Sequence, residues 1–234
     1  MANEQNIENM DFIVTEKKEI ATQNGFMIVG SVVRKFRPKE NVILLRVAVS
    51  DATGTVSHPT IAYYGKEVCD RIDSHIVITE DNKPRVRIEG YIDARRKGGR
   101  NSTSENSQKF YEWLVGTKLA FAKTAMEEAT GIKGVGTRKA EGMNQIRIVG
   151  TVTGVYSIPN SSVVAVTVYT RPAQEASFPR IICLGTRAKY ALENLQRYDS
   201  VSIIGYIRTR EVVGENGRRQ ILTGLYANDI AKLG

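Results

Sequence analysis

Val86-Arg87-Ile88-Glu89-Gly90-Tyr91-Ile92 returns later in the chain as Val201-Ser202-Ile203-Ile204-Gly205-Tyr206-Ile207. A second pair keeps the same order, with Ile28-Val29-Gly30-Ser31-Val32 matched by Ile148-Val149-Gly150-Thr151-Val152. Gly30 lies 60 residues before Gly90 and Gly150 lies 55 before Gly205, so the chain reads as one unit duplicated.

Inside each copy the apolar residues alternate with a period of two. Leu45, Val47 and Val49 alternate with Arg46, Ala48 and Ser50, and Val164, Val166 and Val168 with Ala165, Thr167 and Tyr169. That is the pattern of strands with one buried face. The first copy is expected to hold five strands at 26–35, 42–50, 60–64, 85–95 and 109–119. The second is expected to hold five at 145–156, 162–170, 179–184, 200–210 and 219–227. Helical spacing fits between the third and fourth strands, at 66–72 and 186–196, with Ala188, Leu192 and Leu195 on one face. Gly30, Gly90, Gly150 and Gly205 interrupt strands where a small barrel must bend them sharply.

Five strands, a helix between the third and fourth, and bend glycines in the first and fourth describe an OB-fold. The expected fold class is all-β with short helices, as two tandem five-stranded Greek-key barrels. The expected domains are a mobile N-terminal segment 1–24, a first OB-fold 25–122, a Gly-rich basic linker 123–143 and a second OB-fold 144–234. Residues 120–129 read as a short helix, and 12–14 as a short strand without an assigned place.

The 234 residues are 41% hydrophobic and 25% charged, an ordinary soluble composition, and no run nears the apolar length of a membrane span. The opening MANEQNIENMDF is polar and acidic, so a cytoplasmic location is expected and no membrane partner. Cys69 and Cys183 are too few for a disulfide framework or a metal cluster and read as reduced thiols. A net charge of +8 favours a polyanionic partner. His58 and His75 have no nucleophile or carboxylate linked to them, and Gly131-Ile132-Lys133-Gly134-Val135-Gly136 lacks the Lys-Ser/Thr ending of a phosphate loop. Neither catalysis, a cofactor nor a metal is expected.

The second copy resembles the single-stranded DNA-binding protein family of bacteria, phages and plasmids. Ile148-Val149-Gly150 carries the likeness, as does the stretch from Ile181 through Gly185-Thr186, Tyr198 and Val201 to Gly205-Tyr206-Ile207-Arg208-Thr209-Arg210. In the first copy Tyr64-Gly65-Lys66 and Val86-Arg87-Ile88-Glu89-Gly90 are similar to the family's third-strand end and fourth strand. The resemblance covers roughly residues 25–120 and 144–233. It implies a protein that coats single-stranded DNA with little sequence preference in replication, recombination or repair. It also implies a homodimer, since the family assembles four OB-folds and open strand-one edges can pair across a two-fold; the opposing possibility is that the two copies satisfy those edges within one chain. The alternative function is an OB-fold accessory protein of replication or conjugation, or an RNA-binding module. Two features depart from the family. Ile230-Ala231-Lys232-Leu233-Gly234 follow the last strand without an acidic tail, so recruitment of replication proteins by such a tip is not expected. The aromatic often found beside the last hairpin is Lys97 in one copy and Val212 in the other.

Binding a single strand without sequence preference needs cations for phosphates and exposed rings on which bases stack. On strand three, His58, Thr60, Ala62 and Tyr64 share one face and Ile61 and Tyr63 the other; the resemblance puts Tyr64 on the DNA side, next to Lys66. The matching row is Phe178, Arg180, Ile182 and Leu184. Strand four offers Tyr91 and Arg95, then Tyr206, Arg208 and Arg210; strand two offers Arg46, Tyr169 and Arg171. The basic hairpins add Arg96, Lys97 and Arg100 in the first copy and Arg218 in the second. Trp113 lies on strand five with Phe110 and Tyr111, and parity leaves its face open.

Overall fold

A computed structural model describes residues 13–14, 24–51, 54–97, 109–122, 142–159, 161–213, 217 and 219–233. The first half contains β1 (Ile13–Val14), β2 (Asn24–Lys39), β3 (Val42–Ser50), β4 (Val56–Ser57), β5 (Thr60–Tyr64), α1 (Lys66–His75), β6 (Arg85–Lys97) and β7 (Lys109–Phe121). The second contains β8 (Met143–Ser157), β9 (Val163–Tyr169), a 3-10 turn (Pro172–Gln174), β10 (Arg180–Leu184), α2 (Thr186–Asn194), β11 (Ser200–Val213) and β12 (Arg219–Lys232).

The strand pairings of each half form a closed circuit. β2 pairs with β3 and β6, β3 with β5, β5 runs parallel to β7, and β7 returns to β6. The second half repeats this through β8, β9, β10, β12 and β11. β2 and β8 then pair antiparallel with each other, from Asn24↔Ile148 to Val29↔Met143, joining both circuits in one sheet. The strand-one edges on which the expected dimer contact rested are therefore occupied within a single chain. The short strand at Ile13–Val14 lies along Leu119 and Lys118 of β7.

Alternation decides which side chains enter the core. Ile43, Leu45, Val47 and Val49 are buried on β3, and Val164, Val166 and Val168 on β9. Cys69 and Ile72 of α1, and Ala188 and Ala191 of α2, cover one end of each half, and both cysteines are free and buried. Leu192, expected on that face, is 53% exposed. Ala191 takes the inward place, three residues after Ala188.

The four bend glycines are sites of close backbone approach. A Cβ on Gly90 would stand 2.0 Å from the carbonyl oxygen of Val115, and one on Gly205 2.0 Å from that of Tyr226. On Gly30 and Gly150 it would stand 2.3 Å from the carbonyls of Ala48 and Tyr169. Register shifts sit at Glu89/Gly90 and Ile204/Gly205, where the fifth strand of each half carries one extra residue, Thr117 and Asn228, and bulges against the glycine of the fourth.

Several strands run beyond their expected ends, because the pairing partner continues. Ala120 and Phe121 finish β7, opposite Arg87 and Val86, instead of opening a helix. Met143, assigned to the linker, is the first residue of β8. Of the segment 1–24 expected to be mobile, Ile13–Val14 instead pair with β7, and Asn24 is the buried first residue of β2, held by pairing with Ile148 of β8. The rest of that segment, the rest of the 120–129 helix and linker residues 123–141 lie outside the described residues.

Candidate nucleic-acid interface

Tyr63 and Tyr64 turn opposite ways at the end of β5. Tyr63 is fully buried and donates its hydroxyl to the Lys118 carbonyl at 3.2 Å, whereas Tyr64 is 49% exposed. β5 aligns Ala62 with Val115, and β7 aligns Val115 with Tyr91, Trp113 with Asp93 and Tyr111 with Arg95. This register brings Tyr64, Tyr91, Tyr111, Trp113 and Arg95 onto one outward face. Trp113 is 42% exposed, and its neighbour Leu114 is the core residue, which settles the face that parity left open. Arg46 lies on the outward side of β3, opposite Arg34 of β2 and Thr60 of β5.

In the second half the rings pair among themselves. Tyr206 and Tyr226 stack at 5.5 Å with 18° between planes, and Tyr169 meets Phe178 at 5.5 Å and 48°. The Arg208 guanidinium lies 5.3 Å from the Tyr206 ring centre and 5.7 Å from that of Tyr226. Tyr226 was missed by the sequence reading. The extra residue of β12, Asn228, sets it opposite Tyr206, and a register shift is not legible in the alternation of one strand.

Several cations of the described residues have acidic partners. Arg208 bonds the fully buried carboxylate of Asp51 at 2.6 Å, across the junction of the halves. Arg95 is paired with Asp93 at 2.7 Å and with Glu175. Lys66 stands at the start of α1, 3.8 Å from Asp70. The backbone N–H of His58 donates to Thr209 Oγ1 at 2.8 Å, so His58 belongs to the junction more than to the outward row. Arg180 is exposed, and its backbone N–H donates to Glu112 Oε1 at 2.8 Å. Burial pushes the Glu112 carboxyl up to about 7, against the lowering influence of that hydrogen bond and of the Arg180 charge. Arg171 and Arg210 are exposed. Arg96 and Lys97 end β6 opposite Phe110 and Lys109; their side chains, and Arg100 and Arg218 altogether, lie outside the described residues. No cluster of three or more metal-binding side chains occurs among the described residues, and no helix there is long and apolar enough to cross a membrane.

The sequence matches no protein-family model and no curated protein. Among solved structures, the chain is similar to the wild-type single-stranded DNA binding protein from Thermus aquaticus, with a TM-score of 0.56 and 13% identity over 90% of this chain and 93% of that one. A deletion mutant of the same Thermus protein aligns at a TM-score of 0.54, again with 13% identity, over 90% of this chain and 94% of that one. At this identity the likeness is one of fold, and it spans both halves of the molecule.

Proposed function

We propose that this chain binds single-stranded DNA with little sequence preference and without catalysis, each circuit of strands acting as an OB-fold barrel. The observation that carries this is the outward face on which Tyr64, Tyr91, Tyr111 and Trp113 come together beside Arg95. Exposed rings and cations are the requirements of a single-strand path, because every base has a face to stack and every nucleotide a phosphate. The fold shared with a single-stranded DNA binding protein over 90% of the chain supports the same reading. The sequence-predicted Arg46 adds to the path on the first barrel, and Tyr169, Arg171, Phe178, Arg180, Tyr206 and Arg210 extend it onto the second. Coating of exposed strands in replication, recombination or repair is the role that fits such binding.

The decisive experiment measures affinity for an unstructured oligonucleotide, the matching duplex and an RNA of the same sequence, each at two salt concentrations. Tight binding to the single DNA strand, weakening steeply with salt through counterion release, is expected. Equal or tighter binding to the duplex would reject the proposal.

The homodimer is retained as part of the proposal, but with an interface other than strand one, whose edges are spent within the chain. Light scattering at tens of micromolar tests it: a mass near twice 26.0 kDa supports the dimer, and one near 26.0 kDa rejects it.

A further inference from the structure

We infer that the outward corner of the first barrel formed by Arg34, Phe36, Leu44, Arg46 and Thr60 seats one nucleotide, with its base on the Phe36 ring and its phosphate on the two arginines; this rests on the single-strand reading above. These five residues line a groove of about 250 Å³. Phe36 is 53% exposed on it, opposite Leu44, and Arg34 lies directly opposite Arg46, which in turn faces Thr60. Thr60 and Tyr64 share the outward side of β5, so the groove prolongs the Tyr64 face across β3 onto β2.

The charges on β2 identify the occupant. Lys35 and Arg37 point the other way and are matched by acids of α1: Lys35 lies 2.8 Å from Asp73, and Arg37 2.7 Å from Asp70 and 3.1 Å from Asp73. On the groove side Arg34 and Arg46 face each other with no acidic partner among the described residues. Like charges directly opposite on paired strands repel, and an anion between them removes that repulsion. An apolar ring beside two such guanidinium groups suits a nucleotide, which carries a flat base and a negative charge together.

The second barrel grips differently. Tyr156 lies opposite Ala165 and Gly154 opposite Thr167, which in turn faces the exposed Arg180, so the corresponding corner has a ring and one arginine, on the third strand in place of Thr60, instead of two on the first and second. The tyrosine ring folds back over Gly154, whose added Cβ would stand 2.4 Å from the Tyr156 hydroxyl. The two barrels therefore hold the strand unequally at this corner.

The test compares the full chain with Phe36→Ala, Phe36→Leu, Phe36→Trp and the double variant Arg34→Gln/Arg46→Gln in binding an oligo-dT over a range of salt. Phe36→Ala and Phe36→Leu are expected to weaken binding about 5- to 150-fold with the salt slope kept, and Phe36→Trp to restore it, because only an aromatic ring stacks. The double arginine variant is expected to lower the magnitude of the salt slope by about 0.7 to 1.4. Rescue by Leu, or an unchanged affinity in Phe36→Ala, or an unchanged slope in the double variant, overturns the inference while wild type still binds. Failure of the wild type to bind the oligonucleotide overturns the single-strand reading instead. Phe36 is exposed, so thermal unfolding should stay near wild type in its variants.

Discussion

Asn24 and Asn144, 120 residues apart, make the same pair of hydrogen bonds in the two halves of the molecule. Asn24 donates to the Ile92 carbonyl at 2.8 Å and accepts the Ile92 N–H at 3.0 Å; Asn144 does the same with Ile207, at 2.7 and 2.9 Å. Each carboxamide acts as one more rung of backbone. Direct pairing between β2 and β6 stops at Phe26↔Gly90, and that between β8 and β11 at Ile146↔Gly205, where the bulges begin. The asparagines satisfy the backbone groups just beyond, and Asn24 also donates to Thr170 Oγ1 of the other half at 2.9 Å.

Asn24→Ala leaves the buried Ile92 N–H without its acceptor, while the Ile92 carbonyl keeps the Ser177 hydroxyl at 2.9 Å, and a loss of about 1 to 3 kcal/mol is expected from chemical denaturation. Asn144→Ala, at a less buried site, is expected to cost less. An Asn24→Ala midpoint equal to wild type would show that water replaces the carboxamide.

Arg208→Ala is expected to act on stability as well as on binding. It removes the charge partner of the fully buried Asp51 carboxylate, which keeps the Thr55 N–H at 3.1 Å, and breaking a buried ion pair from one side costs about 3 kcal/mol. Adding Asp51→Asn should recover much of that stability. A double variant no more stable than Arg208→Ala would indicate that the ion pair is not the source of the loss.

Glu112 gives the fold a pH dependence with a definite sign. Its carboxyl is raised from 4.5 to about 7 in the folded protein, so between those values the native state holds a proton that the unfolded chain has released. Stability from this group therefore falls as pH rises from about 4.5 to 7 and levels off above. Glu112→Gln keeps an oxygen for the Arg180 N–H and removes the titration. It is expected to be more stable than wild type at pH 8, by on the order of 1 to 3 kcal/mol, and to match it near pH 4.5. A constant difference across that range in denaturation experiments would contradict the shift.

Stacking and charge are separable in binding. Tyr64→Ala and Phe178→Ala are each expected to weaken single-strand binding by about 1 to 3 kcal/mol with little change in salt slope. Arg210→Ala should instead reduce the slope by about 0.7. Equal slopes for the Tyr64 and Arg210 variants would mean that these roles are wrongly divided.

The strands and their inner faces were legible in the sequence because alternation is a local property. Successive residues of an extended chain point to opposite sides, so Ile61 and Tyr63 had to go inward once Tyr64 went outward. The duplication was legible too, and with it the positions of the four glycines. Their reason was not, since the carbonyls that crowd Gly90 and Gly205 belong to Val115 and Tyr226 on other strands. Tertiary structure alone decided the face of Trp113, the stacking of Tyr226 on Tyr206 and the pairing of β2 with β8. It also decided which cations are already neutralised. Arg208 and Asp51 are separated by 157 residues, and no periodicity within either strand records that the register of β2 on β8 brings them to 2.6 Å.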